Sequence, residues 1–107
     1  LSATEFAWSL EKGQPRRTAL SAAYARLAGG VNGHDPSLTA VQLIEMDKGA
    51  DRDFALNGFA HGLVHKDPEA ALEWANEISD EGFRKVVTQN ISRRIKKERP
   101  NLQAVEE

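Results

Sequence analysis

The chain contains no cysteine. That absence excludes disulfides and cysteine-ligated metal centres, without identifying a redox compartment. No apolar run approaches the roughly 18 residues that a membrane span requires, and no signal peptide is visible. A cytoplasmic location is the default on those grounds, although Leu1 in place of Met leaves room for a targeting segment already removed. Charge of one sign is lacking too. Fourteen Lys+Arg face sixteen Asp+Glu for a net charge of −2, which excludes a uniformly basic nucleic-acid binder. Apolar residues nevertheless reach 40% and recur periodically, so the 107 residues are expected to form one folded domain rather than a disordered chain.

What is present is regular punctuation. Asp35-Pro36, Asp67-Pro68 and Arg99-Pro100 follow one another at intervals of 32 residues. Asp before Pro reads as a helix start, because the carboxylate caps orphan N–H groups and Pro surrenders a donor that had no partner. Arg52 and Arg84 repeat at the same offset, each opening a second helix, and Phe59 and Leu63 match Ile91 and Ile95. A recurrence near 30 residues calls for a repeat architecture.

Within each unit the apolar period is helical. Ala71, Trp74, Ala75 and Ile78 form one stripe, and Val87, Ile91 and Ile95 the next, separated by the turn Ser79-Asp80-Glu81-Gly82. The preceding unit carries Leu38, Val41 and Ile44 on its first helix, the turn Asp47-Lys48-Gly49-Ala50, and Phe54, Leu56, Phe59, Ala60 and Leu63 on its second. At the N-terminus Ser2 and Glu5 suit a capping box. Gly13 breaks that first helix, Pro15 starts the next, and Gly29-Gly30 ends it. Each unit reads as a helix of about 11 residues, a turn, and a helix of about 14.

The expected fold is all-α: three stacked antiparallel helical hairpins, a short α-solenoid, with the start of a seventh helix at Pro100. The units run over roughly 1–34, 35–66 and 67–99, with 100–107 as a cap or the start of a further unit. The expected core comprises Phe6, Leu10, Leu20, Tyr24, Leu27, Ile44, Phe59, Leu63, Trp74, Ile78, Val87, Ile91 and Ile95. Trp8 lies about 200° round the first helix from Phe6 and is expected off the core stripe.

The stretch Asp67-Pro68-Glu69-Ala70-Ala71-Leu72-Glu73-Trp74, with its returns at Asp35-Pro36 and Pro100, resembles bacterial helix-turn-helix repeats of the tetratricopeptide/HEAT-like kind. The resemblance implies a non-enzymatic surface for partners, commonly peptides or other proteins. It brings no cofactor.

Three features bear on chemistry. His61 and His65 have a spacing that can hold zinc on one helix face, but Gly62 stands where a metalloprotease would need Glu, and a third ligand could come only from a distant position such as His34 or Asp67. The preferred reading is structural: Gly58 and Gly62 beside these imidazoles indicate close approach of another helix. Gly29-Gly30-Val31-Asn32-Gly33-His34 looks like a phosphate cradle, yet lacks the Gly-Lys-Ser/Thr ending and a preceding strand, so it reads as a linker. The strongest pattern is electrostatic. Residues 84–99 hold seven bases (Arg84, Lys85, Arg93, Arg94, Lys96, Lys97, Arg99) against Glu98, whereas residues 35–81 hold eleven acids against three bases.

The preferred account of the basic helix is a solvated face with cations at its C-terminal end. An acidic protein partner, or nucleic acid held by phosphate contacts, are the alternatives. No interleaved aromatic offers a stacking platform, and the apolar residues are needed in the core, which disfavours a membrane surface. The function expected is therefore a protein-interaction scaffold, with nucleic-acid binding through helix 84–99 as the alternative. The candidate partner-binding residues are Trp8, Lys85, Arg93, Arg94, Lys96 and Lys97. A monomer with Trp8 folded on its own second helix is preferred over weak head-to-tail self-association through Trp8 and the Arg93–Lys97 face.

Overall fold

The computed structural model describes residues 2–29 and 36–98. The Gly30–His34 linker, the Asp35 cap and the helix expected from Pro100 lie outside the described residues. Six helices account for the rest: α1 (Ala3–Ser9), α2 (Gln14–Ala28), α3 (Pro36–Glu45), α4 (Ala50–Leu63), α5 (Pro68–Ala75) and α6 (Glu81–Glu98). There is no strand among the described residues.

Local chemistry sets the boundaries. Ser2 and Glu5 form the capping box, with the Glu5 amide donating to Ser2 Oγ at 3.1 Å and the Ser2 amide to Glu5 Oε1 at 2.9 Å. Those bonds to Ser2 hold the Glu5 carboxyl below its ordinary 4.5. Asp67 caps α5 through the Ala70 amide at 3.1 Å, followed by Pro68, and Asp80 accepts the Phe83 amide at 2.7 Å in the first turn of α6. Gly13 and Gly49 precede α2 and α4 with φ of 125° and 155°, a region that favours glycine.

The short first helices end in tight turns. The Leu10, Met46 and Ile78 amides reach back three residues, to Ala7, Leu43 and Ala75 respectively. As a result α5 is shorter than the stripe implied: Ile78 lies beyond its end, yet is only 1% exposed. Arginines at the start of the following helices then donate to carbonyls of these turns. Arg16 Nε donates to Leu10 O at 2.9 Å, Arg52 Nε to Leu43 O at 2.9 Å, and Arg84 Nη1 to Ile78 O at 3.0 Å. This gives the recurrence of Arg52 and Arg84 a physical meaning: each donates to a backbone carbonyl at or just beyond the end of the preceding helix.

The core forms around α4, which meets α2, α3, α5 and α6. Its contact with α2 is the most extensive of any helix pair. Gly58 lies against the Ser21 backbone and Gly62 against that of Ala25, so the two helices run parallel with their main chains touching. A Cβ at residue 58 would fall on the Ser21 carbonyl, and one at 62 on the Ala25 carbonyl. Ser21 seals the contact: its hydroxyl donates to Phe54 O at 2.7 Å and accepts from Asn57 Nδ2 at 3.1 Å. Beside this contact Phe59 meets Trp74 edge to face at 5.2 Å, and Phe54, one turn before Gly58, stacks on Phe83 at 4.6 Å. Val87, Ile91 and Ile95 form the single buried stripe of α6.

Two charged residues are buried at the start of α4. Arg52, 4% exposed, also reaches Glu77 O at 3.3 Å. Asp53, 3% exposed, accepts from the Ser79 amide at 2.8 Å, the Ser79 hydroxyl at 2.9 Å and the Asp80 amide at 3.1 Å. The first turn of α4 thus ties the end of α3 to the turn between α5 and α6, and each ion is compensated by polar partners.

Eight of the thirteen expected core residues are buried, and Leu10, Leu27 and Trp74 are half-buried. Phe6 and Ile44 are corrections, at 53% and 64% exposed. On α3 the buried side is Thr39 and Leu43, so the stripe Leu38, Val41 and Ile44 faces outward. On α1, Ala7 is fully buried and Trp8 packs on the core, which turns Phe6 to the outside. Trp8 therefore occupies the position expected for Phe6. Burying the larger ring is favourable because its indole N–H finds Tyr24 Oη at 3.4 Å.

The α2–α4 contact predicts a graded glycine series. Gly58→Ala should destabilise by about 2 kcal/mol or more through overpacking, outweighing the gain in helix propensity. Gly62→Ala should follow in the same direction, because Ala25 O and the Ala28 methyl stand in its way. Gly82→Ala on α6, where a Cβ would meet only Asp80 Oδ2 at an ordinary contact distance of 3.6 Å, should be neutral or stabilising by up to about 1 kcal/mol. Urea denaturation of the three variants checks this; a Gly58→Ala protein as stable as the parent would contradict the packing described.

Candidate interaction surfaces

Two exposed faces stand out. The first is the outer side of α3, where Leu38, Val41 and Ile44 are 62%, 54% and 64% exposed at intervals of three residues. Three-residue spacing keeps them on one side of the helix, opposite Leu43 and Thr39. The helix is apolar on both sides, which a helix at a protein surface ordinarily is not. Single exposed aliphatics need no explanation, whereas a row of three on one helix face makes it a candidate surface.

The second face is the outer side of α6. Lys85, Arg93, Lys96 and Lys97 are all exposed on the side away from Val87, Ile91 and Ile95, with exposed Val86 among them. Lys85 pairs with Glu81 at 3.6 Å, a fully solvated contact of little energetic weight. Arg93 is oriented by Asn90 Oδ1 at 2.8 Å. A shallow depression lined by Thr88, Gln89, Ser92 and Arg93 lies on the same side.

Arg94 is different. One residue along a helix turns a side chain by about 100°, which takes Arg94 off the outer face and onto α4. There its Nη1 donates to His61 Nδ1 at 2.8 Å and approaches His61 O at 3.4 Å. Since a guanidinium only donates, His61 Nδ1 must be the acceptor, and the neutral ring carries its proton on Nε2. Burial lowers the His61 pKa below 6.5 and the Arg94 charge lowers it further.

Trp8 is half-buried against α2, with the Arg16 guanidinium 5.7 Å from its ring centre. Of the six residues singled out in the sequence, four therefore share one face, Arg94 is engaged with His61, and Trp8 belongs to a different part of the molecule. The outer face of α3 carried a signal in the sequence, the apolar stripe 38-41-44, but periodicity could not say that Thr39 and Leu43 face inward instead.

Among the described residues, no three His, Cys, Asp or Glu side chains are grouped to hold a metal; His34 lies outside them. No helix among them is long and apolar enough to cross a membrane. The chain matches no protein family, and comparisons with curated proteins and with solved structures give no match either.

The His61–Arg94 contact predicts a pH dependence. Because the folded-state pKa is depressed, the unfolded chain binds more protons as pH falls through 6.5. The stabilisation is fully present above that value and is lost as pH drops toward the lowered folded value. Urea midpoints should therefore decline between about pH 7.5 and 5 at constant salt, and His61→Gln should flatten this part of the curve. An unchanged slope in the variant would contradict the assignment.

Proposed function

We propose that this chain is a non-enzymatic protein-interaction domain, built as a short α-solenoid of stacked helical hairpins, that takes a protein or peptide partner on the outer face of α3. The observation that carries this reading is the exposed row Leu38, Val41 and Ile44. Supporting the repeat architecture are the parallel α2 and α4 and the arginine-to-carbonyl bonds at Arg16, Arg52 and Arg84. Helical repeats bury one unit on the next and leave a continuous outer surface for partners. A partner segment with its own apolar side chains at helical spacing would bury the three aliphatics, each contributing up to about 1.5–3 kcal/mol if fully covered.

The test is a peptide-display selection followed by affinity measurement on two variants. Peptides selected on the parent protein should lose at least about tenfold in affinity for Val41→Glu and for Ile44→Glu. Both variants should keep their stability within about 0.5 kcal/mol, because the substituted positions are exposed. Selected peptides that bind the variants as well as the parent, or no selectable peptide at all, would contradict the reading.

The cationic face of α6 favours a second reading, binding of nucleic acid through phosphates. Mixed-sequence RNA or DNA should then bind at low salt and weaken steeply as salt rises, with a slope reduced by about 1 for each of Arg93→Gln and Lys96→Gln. No binding at low salt removes this alternative.

A further inference from the structure

We propose that the cavity between the N-terminal ends of α2 and α4 binds a small phosphomonoester carrying an aromatic or other apolar group. The cavity has a volume of about 520 Å³ and is lined by Lys12, Arg17, Lys48 and Arg52, with Trp8 and Met46 as apolar walls. That volume suits a small ligand, and a mostly fixed wall with a few convergent polar groups is what such sites present.

Two arginines carry the argument. Arg52 is 4% exposed and lines the cavity; its Nε and Nη1 are bonded to Leu43 O and Glu77 O, but Nη2 has no partner among the described residues. Arg17 lines the same space, and its Nε is buried with no hydrogen-bond partner at all. Its guanidinium sits 5.9 Å from the Phe54 ring centre. The buried Arg17 Nε–H without an acceptor costs free energy that an oxyanion would recover through a charge-assisted hydrogen bond, and Arg52 Nη2 is open to the same oxyanion.

The fold adds to this positive potential. Gly58 lies on Ser21 and Gly62 on Ala25, so the parallel register of α2 and α4 brings Gly13 beside Ala50. Both helices therefore begin at the same place, with glycine N-caps that make no side-chain bond to the first-turn amides. Lys12 and Lys48 extend the charge at the rim. Two acids also line the cavity, and they set the limit on its charge: Asp51 is held by Arg16 at 3.2 Å, whereas Asp47 is exposed. Four cations against one unpaired acid match a phosphate dianion better than a single carboxylate. Trp8 and Met46 would cover the apolar part of the ligand.

Calorimetric titration with phenyl phosphate tests the proposal, with phenol as the control. Phenyl phosphate should bind saturably at about 0.15 M salt, where screening leaves only a partly buried charge site effective. Arg17→Gln should weaken it by about tenfold or more, since a charge-assisted bond is removed. The rim variant Lys12→Gln/Lys48→Gln, in which only exposed side chains change, should weaken it as well and provides the test if Arg17→Gln fails to fold. Vesicles containing phosphatidic acid distinguish the source: pelleting of the protein assigns the phosphomonoester to a lipid headgroup, and its absence assigns a soluble ligand. No saturable binding of phenyl phosphate, equal affinity in the rim variant, or phenol binding as tightly as phenyl phosphate would each overturn the proposal.

Discussion

The direct backbone contact between α2 and α4 is the constraint on which the rest of the structure depends. Two helices approach this closely only where one contributes residues without a Cβ, and Gly58 and Gly62 do so against Ser21 and Ala25. The approach fixes both their parallel direction and their register. Register in turn places the two glycine-initiated N-termini side by side, while Phe54 and Phe59 beside the contact meet Phe83 and Trp74. Small residues at this contact forgo side-chain area. The loss is made up on the flanks, where the aromatic pairs supply it.

A central helix also determines where charge can be buried. Because α4 is covered by α2, α3, α5 and α6, its first turn lies under the ends of its neighbours, and Arg52 and Asp53 are used there as connectors. Each meets backbone groups at the ends of neighbouring helices and turns: Leu43 O and Glu77 O for the arginine, the Ser79 and Asp80 amides for the aspartate. By contrast α1 and α3 lie at the margin. One pairs mainly with α2, the other touches α2 and α4 lightly, and both keep apolar side chains in solvent.

Much of this order was legible in the sequence where a residue has few physical alternatives. Asp67-Pro68 can do little but start a helix, and paired glycines four apart within a helical stripe indicate a close neighbour. The stripe Val87, Ile91 and Ile95 had no competitor on its helix. Where two solutions are chemically equivalent, the sequence does not choose between them. On α3 both the 38-41-44 row and Leu43 are apolar, and the packing of Leu43 with Thr39 selects the face. On α1 the choice lay between Phe6 and Trp8, and the indole hydrogen bond to Tyr24 tips it. Arg93 and Arg94 are adjacent cations of identical composition, separated only by helix rotation, so a charge count groups residues that the fold directs to different neighbours. The buried Arg52 and Asp53 were hidden for a related reason: composition counts charged residues as surface, and only the tertiary arrangement supplies the partners that let them be interior.

Native-state hydrogen exchange tests the central claim most directly, because it reads the stability of each helix separately. If the α2–α4 contact organises the fold, amides in the middle of α2, around Leu20 to Tyr24, and of α4, around Ala55 to Ala60, should exchange only through global unfolding. Those of α1 and α3 should exchange through openings of lower free energy. Amides of α3 protected as strongly as those of α4, or α2 and α4 exchanging independently of one another, would contradict the account.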